Sequence, residues 1–302
     1  MNFRRFALAA VAATSPLAAQ SETSNPDSAR IVTTDVERFW RAFDQRAVLG
    51  SVKAFDSLYL SNASPGLRDF ARMRIGDAAA LAQAVNRDSG FYQSVRAGTL
   101  ALANEAGAVR QSFRRLAALV PDAVFPDVYV IIGRRSAAGT VSNSGLLIGA
   151  EMVTAPTAAL SDSASRRPSM AAVVAHELVH YQQRIVGRTL LAMALREGTA
   201  DFIAELISGH ELNSSLHAWL APREQAVWMA FRAQTDDTEF ARWFGAPNDP
   251  AWPHDVGYAV GYRIAKASYD LTPDKRAAIH AMLNISDPRD YLARSGYQAR
   301  RW

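Results

Sequence analysis

Two histidines and a glutamate in the second half of the chain have the spacing of a metal site. The segment His176-Glu177-Leu178-Val179-His180 places the histidines four residues apart. Residues at this spacing share one face of an α-helix, so both imidazoles can bind the same ion. Glu177 reaches the same region without being a ligand, and its carboxylate can take a proton from water and return it. The pattern therefore predicts a metal-assisted hydrolytic site on a helix.

A third ligand is needed, because zinc in a catalytic site takes three protein ligands and a water molecule. The chain has no cysteine, so this ligand must be a histidine, an aspartate or a glutamate. Residues 189–209 have the pattern of a second helix, and Thr189 can cap its start. A turn near Gly187, a natural end for the first helix, makes the two helices an antiparallel hairpin.

The hairpin geometry selects two carboxylates from the second helix. At a rise of about 1.5 Å per residue, Glu197 lies level with His180, and Asp201 lies level with His176. Glu197 and Asp201 are four residues apart and share a face. We expect Glu197 to be the third ligand and Asp201 to accept the free N–H of His176, which fixes the tautomer of that imidazole. The predicted cofactor is Zn2+, with one ion per chain.

The two motifs together resemble the signature of the gluzincins, the thermolysin-like zinc peptidases. Four segments are also similar to a bacterial family of predicted zinc-dependent proteases related to the gliding-motility lipoprotein GldB: 175–183, 195–209, 256–265 and 294–297. The resemblance covers roughly residues 120–300. It implies a zincin-like fold and hydrolysis of peptide bonds with Glu177 as the general base. The lipid-attachment cysteine of the lipoprotein is missing, so the resemblance does not imply a membrane anchor for this chain.

A later stretch places His254, Tyr258 and Tyr262 four residues apart, with Gly257 and Gly261 in a second stripe. Small residues at this spacing let a helix approach a neighbour closely, so we expect this helix to pack against the hairpin. In gluzincins a histidine or tyrosine here stabilises the oxyanion of the tetrahedral intermediate. The resemblance makes Tyr258 the first candidate and His254 the second. The alternative is an amphipathic helix whose tyrosines are ordinary half-buried packing.

The remaining elements must position these residues. Two strands are predicted at 128–132 and 146–152, with a loop rich in glycine, serine and asparagine at 136–145. We expect Glu151, at the end of the second strand, to be solvated, although it could border the substrate cleft. The strand pair could also bind a substrate backbone as an added strand. The order of elements predicts a mostly α, α+β fold: a helical N-terminal region, a small sheet, the active-site helix pair and C-terminal helices.

Residues 1–20 have a basic start, an apolar run and small residues before position 20, which is typical of a secretory signal peptide. We therefore expect export to the periplasm or secretion. The predicted divisions are a signal peptide at 1–20, a flexible mature N-terminus at 21–34, a helical N-terminal region at 35–120 and a zincin-like metallopeptidase domain at 121–302.

Composition excludes several classes of function. The absence of cysteine excludes disulfides, thiol catalysis and iron–sulfur clusters. Without Arg4 and Arg5 the basic residues fall from 33 to 31 against 29 acidic ones, so the net charge falls from +4 to +2. After residue 20 no run of basic residues is longer than two, so we do not expect nucleic-acid binding. His210, His217 and His280 are isolated, and we expect them to be surface or cap residues.

The leading hypothesis is an exported zinc metallopeptidase that acts on a peptide or protein substrate. The alternative is a non-catalytic envelope binding or assembly protein with a structural zinc site, which a fourth protein ligand would close. A third class is a zinc hydrolase acting on non-peptide amides or esters. The sequence leaves the oligomeric state and the cleavage specificity open.

Overall fold

A computed structural model of the protein describes residues 22–156, 168–245 and 252–298. These residues are mostly helical with one small sheet, which confirms the predicted α+β class. The predicted signal peptide at 1–20 lies outside the described residues. None of the described helices is long and apolar enough to cross a membrane.

From residue 22 to the two predicted strands, the structure describes six α-helices. They are α1 (Thr34–Leu49), α2 (Ser51–Phe55), α3 (Pro65–Phe70), α4 (Ala78–Arg87), α5 (Ser89–Ala101) and α6 (Ala106–Leu119). Single π-helical turns extend α2 over Asp56–Leu60 and α3 over Ala71–Ile75. Ser64 caps α3 and Asp77 caps α4, because each side chain accepts a backbone N–H from the first turn of its helix.

After the predicted strand that begins near residue 146, the described part of the chain has eight helices. They are α7 (Ala150–Val153), α8 (Met170–Gln182), α9 (Leu190–Ser208), α10 (Ser214–Leu220), α11 (Glu224–Arg232), α12 (Val256–Leu271), α13 (Lys275–Leu283) and α14 (Pro288–Arg294). The helices α8 and α9 are apolar on nearly every side and are buried almost completely. They therefore form the centre of the protein rather than its surface.

The sheet has four strands in the order β1-β2-β4-β3: β1 (Ile31–Val32), β2 (Val128–Ile131), β3 (Gly139–Ser142) and β4 (Gly145–Gly149). The strands β1, β2 and β4 are parallel, and β3 pairs antiparallel with β4. Both predicted strands are present in shorter form. The strand β1 lies in the segment that we expected to be flexible, and β3 lies in the predicted loop. Short strands of this kind gain their order from a neighbouring strand, which a local pattern does not show.

The prediction for Glu151 is wrong. The second main strand ends at Gly149, and Glu151 lies in the first turn of α7 with no exposed surface. One carboxylate oxygen accepts the backbone N–H of Arg135 at 3.0 Å. The other oxygen, Oε2, has no hydrogen-bond partner among the described residues. A strand pattern of alternating exposure therefore does not apply here, because the chain turns into a buried helix two residues earlier.

The predicted close approach of the glycine-bearing helix is confirmed. A Cβ atom added to Gly261 in α12 would lie 1.7 Å from the carbonyl oxygen of Ala194 in α9. A Cβ atom added to Gly198 would likewise lie 2.1 Å from the backbone of Gly261. The two helices therefore meet backbone to backbone, and this contact holds α12 against the hairpin. Gly257 meets a side chain instead, the ring of Phe244.

Burial of Glu151 predicts a pH dependence of stability. Burial raises the pKa of Glu151 from an ordinary 4.5 to about 7. Between these values the unfolded chain releases the proton while the folded protein keeps it, so stability is full below pH ~4.5 and falls as the pH rises toward ~7. We expect Glu151→Gln to lose this dependence, which amounts to roughly 3 kcal/mol in the free energy of unfolding.

Urea unfolding of the wild type and the variant between pH 4 and 8.5 measures this difference. The exposed Glu37→Gln is the matched control and should follow the wild type. Parallel pH profiles for Glu151→Gln and the wild type would show that Glu151 is ionised in the folded protein.

Candidate metal centre

The two buried helices form the predicted antiparallel hairpin. Ser169 caps α8 by accepting the N–H of Ala172, and Thr189 caps α9 as predicted by accepting the N–H of Ala192. We expected Gly187 to end the first helix, and this prediction is wrong, because α8 stops at Gln182. The chain then extends, and the connection donates backbone hydrogen bonds to Leu283 and Ile285. Tertiary backbone partners therefore end α8 five residues before the glycine.

Three side chains converge between these helices. His176 Nε2 lies 2.9 Å from His180 Nε2, and Glu197 Oε2 lies 3.2 Å from His180 Nε2 and 3.5 Å from His176 Nε2. Nitrogen and oxygen ligands at ordinary zinc distances in a tetrahedron lie about 3.3 Å apart. The donor types and spacing fit a single ion. His176, His180 and Glu197 can therefore hold a metal ion between α8 and α9.

Further side chains orient the two imidazoles. His176 Nδ1 lies 2.8 Å from Asp201 Oδ1, as the hairpin argument predicts, and Asp201 Oδ2 accepts a hydrogen bond from Asn213 at 2.8 Å. His180 Nδ1 lies 2.8 Å from Gln183 Oε1. Because each Nδ1 atom lies beside a side-chain oxygen, the Nε2 atoms are left to face the shared centre.

Sequence reasoning missed Gln183 and Asn213. Gln183 follows His180 by three residues, a spacing that brings side chains together on one face, and this signal could have identified it. Its amide nitrogen donates to Thr199 Oγ1 at 2.9 Å and to the carbonyl oxygen of Arg196 at 2.8 Å, both in α9. Asn213 lies beyond the end of α9, and only the folded chain brings it to Asp201.

The buried charges favour a cation. Burial lowers the pKa of His176, but the nearby carboxylates of Asp201 and Glu197 outweigh this effect and raise it to about 10. Burial acts to raise the pKa of Glu197, but the two imidazoles hold this pKa well below its ordinary value. Glu177 adds a third carboxylate to the same buried region. Three carboxylates therefore face two imidazoles, and a divalent cation would balance the excess negative charge.

Glu177 lies between the metal cluster and the edge strand β3. Its side chain is buried, and Oε1 has no hydrogen-bond partner in the described ranges. A Cβ atom at Gly139 would lie 2.4 Å from this oxygen, so the strand passes directly over the carboxylate. Burial raises the pKa of Glu177. Glu177 thus has a carboxylate oxygen without a hydrogen-bond partner among the described residues, and the lack of a side chain at Gly139 makes room for it.

The candidates for stabilising the oxyanion, which lie in α12 and just before it, have different surroundings. The ring of Tyr258 is buried and stacks on His176 with centroids 6.3 Å apart. Burial, and the nearby negative charge of Glu197, raise the pKa of the Tyr258 hydroxyl well above its ordinary value. His254 is exposed just before the helix begins. The Tyr262 hydroxyl donates to Glu205 at 2.7 Å, and Glu205 lies eight residues after Glu197 in α9.

The expectation that His217 is a surface residue is wrong. Its side chain is buried in α10 and packs on Tyr262 with ring centroids 4.3 Å apart. Burial lowers the pKa of His217 to about 4, so it is a neutral core residue at physiological pH. His210 and His280 are exposed, as expected.

The cluster predicts metal binding that depends on particular side chains. We expect the wild type to bind about one zinc ion per chain, His180→Ala to lose it, and Asp201→Asn to bind it about 10- to 100-fold more weakly. Glu205→Gln, one turn beyond Asp201, is the matched control. Elemental analysis gives the stoichiometry, and competition with a chromophoric chelator gives the affinity. Zinc binding by His180→Ala with wild-type affinity would exclude this cluster as the metal site.

Comparisons with known proteins give no match: no family model, curated protein or solved structure is significantly similar to this chain. The chemistry assigned to the cluster therefore rests on the geometry and composition described above.

Proposed function

We propose that this protein is a zinc-dependent peptidase. The observation that carries the proposal is the arrangement of a three-residue ligand group beside a separate buried carboxylate. His176, His180 and Glu197 offer two nitrogens and an oxygen to one centre. Glu177 is adjacent but remains outside this group, and its Oε1 has no hydrogen-bond partner among the described residues. Three ligands are the number found in catalytic zinc sites, whereas structural sites are closed by four.

The donor set favours zinc among the common divalent ions. Two imidazoles and one carboxylate, without any thiolate, suit zinc, while magnesium and calcium prefer oxygen ligands. A zinc ion bound here would lower the pKa of a coordinated water molecule and polarise a carbonyl group of the substrate.

Glu177 would move the proton in this reaction. Its carboxylate takes a proton from the attacking water, whose oxygen forms the new bond to the carbonyl carbon of the scissile peptide. When the C–N bond breaks, Glu177 returns that proton to the leaving nitrogen, so it ends the cycle ionised. Burial raises its pKa and thereby makes the carboxylate a better proton acceptor than an exposed glutamate.

Tyr258 is the first candidate to stabilise the oxyanion, and His254 is the second. The Tyr258 ring stacks on the candidate ligand His176, and burial keeps the hydroxyl protonated and able to donate. His254 is exposed before α12 and would have to move toward the site. This difference in burial supports Tyr258.

The edge strand supports a peptide as the substrate. The strand β3 occupies one end of the sheet order and pairs on one side with β4. No described strand pairs with its other side, so this is an edge that an extended peptide can join by backbone hydrogen bonds. Because Gly139 in this strand touches Glu177, a peptide added there would run past the carboxylate. A small amide or ester would not use such an edge.

Two further parts of the proposal come from the sequence. The basic and apolar pattern of residues 1–20 supports export to the periplasm or secretion. The spacing of the two metal motifs supports a zincin-like arrangement of the hairpin. The alternative function, a non-catalytic envelope protein with a structural zinc site, predicts the same metal content without turnover.

Replacing the proposed base separates these possibilities. We expect Glu177→Gln to lower peptide hydrolysis at least 1,000-fold while the protein still binds about one zinc ion, because the amide cannot accept the proton. Cleavage of a fluorogenic peptide library by the mature protein, with elemental analysis in parallel, measures both properties. Retained hydrolysis in Glu177→Gln would exclude the mechanism. A wild type that binds zinc and cleaves no peptide would favour the structural alternative.

The contact between the edge strand and the base gives a second prediction. In Gly139→Ala the added methyl group would overlap Glu177 Oε1, so the carboxylate must move. We expect hydrolysis to fall about 10- to 100-fold with zinc content unchanged, because a displacement of this size misaligns the base. Gly107→Ala is the matched control, since nothing lies within 4 Å of a Cβ atom there. Unchanged kcat/KM in Gly139→Ala would show that the position of Glu177 is not critical.

A further inference from the structure

Gln183 is the first residue after α8, and its side chain joins the two helices that carry the metal ligands. Its Oε1 lies 2.8 Å from His180 Nδ1, and its amide nitrogen donates to the carbonyl oxygen of Arg196 at 2.8 Å and to Thr199 Oγ1 at 2.9 Å. A glutamine amide has one acceptor oxygen and two N–H donors. Both donors therefore have an acceptor in α9, while the oxygen lies beside a ligand in α8.

The contact with Arg196 determines which way the amide faces. A backbone carbonyl oxygen only accepts hydrogen bonds, so the amide nitrogen of Gln183 must lie toward Arg196 and the amide oxygen toward His180. That oxygen also only accepts, so the proton of a neutral His180 imidazole is on Nδ1. The lone pair of Nε2 is then directed at the shared centre. The backbone of α9 thus selects, through Gln183, the ring tautomer that can bind an ion.

The two histidines have unequal support. His176 has a carboxylate partner, Asp201, and its side chain is 1% exposed. His180 has an uncharged amide as its partner, its side chain is 12% exposed, and it lies in the last turn of α8. The terminal torsion of a histidine side chain is only weakly restricted, and helix ends fray. His180 is therefore the ligand whose position depends most on a neighbouring side chain.

Gln183 also connects ligands from different helices. Its hydrogen bond to the carbonyl oxygen of Arg196 ends one residue before Glu197, and its partner Thr199 lies two residues after Glu197. His180 Nε2 and Glu197 Oε2 are 3.2 Å apart. A turn of the imidazole, or a slide of α8 along α9, would change this distance. The contacts of Gln183 oppose both movements.

We propose that Gln183 is a positioning residue of the metal centre, which holds His180 against Glu197 and thereby slows the release of the bound ion. The proposal rests on the metal site of the proposed function, and it does not require that a peptide is cleaved. Gln183 acts on the ligand atom Nε2 of His180 through the opposite ring nitrogen. Partners of this kind raise metal affinity about 10- to 100-fold.

Two adjacent glutamines provide a matched pair of variants. Gln182 also bonds a distant backbone, since its Oε1 accepts the N–H of Val124 at 3.2 Å and its Nε2 donates to the carbonyl oxygen of Val124 at 2.7 Å. Replacing either glutamine by methionine removes such hydrogen bonds at nearly constant side-chain size. We expect Gln183→Met and Gln182→Met both to lower the unfolding temperature, and only Gln183→Met to weaken metal binding.

Binding and release of zinc measure this difference. In competition with a chromophoric chelator, we expect Gln183→Met to bind zinc about 10- to 100-fold more weakly than the wild type, and to lose it faster by a similar factor when excess chelator is added. Cobalt(II) in place of zinc has a visible absorption band that depends on the number and geometry of its ligands. Gln183→Met should weaken this band, because His180 no longer keeps one position, and Gln182→Met should leave it unchanged.

A third variant tests the acceptor by itself. In Gln183→Glu the carboxylate can still accept the N–H of His180 Nδ1, but it cannot donate to the carbonyl oxygen of Arg196. We expect this variant to bind zinc more tightly than Gln183→Met, because the tautomer of His180 is still selected. Zinc binding by Gln183→Glu that is no tighter than in Gln183→Met would contradict the role assigned to the amide oxygen.

The outcomes separate this proposal from the proposed function. Wild-type affinity and release rate in Gln183→Met, or an equal loss of affinity in Gln182→Met, overturns the proposal. A wild type that binds no zinc overturns it together with the metal site. A wild type that binds zinc and cleaves no peptide contradicts the proposed function alone, and the comparison of the two methionine variants still decides the role of Gln183.

Discussion

The burial of five ionisable side chains between α8, α9 and β3 is the constraint on which the rest of the structure depends. Two imidazoles and three carboxylates lie almost entirely out of solvent, where unpaired charge is very costly. They are compatible with folding because they face one another: His176 lies 2.8 Å from Asp201, and Glu197 lies 3.2 Å from His180. The remaining negative charge favours a cation. The protein therefore concentrates its buried charge where a metal ion would use it.

The surrounding helices keep this cluster dry and in register. The apolar faces of α8 and α9 pack against other elements on nearly every side, so four of the five ionisable side chains are buried and only His180 is partly exposed. Gly198 and Gly261 bring α12 into backbone contact with α9, and this contact places the ring of Tyr258 on His176. Gly139 likewise lets the backbone of β3 lie against the carboxylate of Glu177. The lack of a side chain at these glycines thus determines how closely the functional groups approach one another.

The helices before the sheet are part of the same structural unit. The buried residues form one continuous cluster that includes members of α1 and of the hairpin. The strand β1, only two residues long, pairs with β2, and Arg30 beside it forms an ion pair with Asp127 at 2.5 Å. The N-terminal helices therefore share one hydrophobic core with the hairpin.

The sequence by itself determined the local features. Helical spacing paired His176 with His180, and the fixed rise of two antiparallel helices identified Glu197 and Asp201 without any knowledge of the fold. Only the tertiary structure decided the features that join distant segments. The strand β3 has a loop-like composition and is ordered by β4, Glu151 is buried because the chain turns early, and Asn213 reaches Asp201 from beyond the end of α9. Helical periodicity is a property of neighbouring residues, whereas strand pairing and burial depend on partners that the local sequence does not contain.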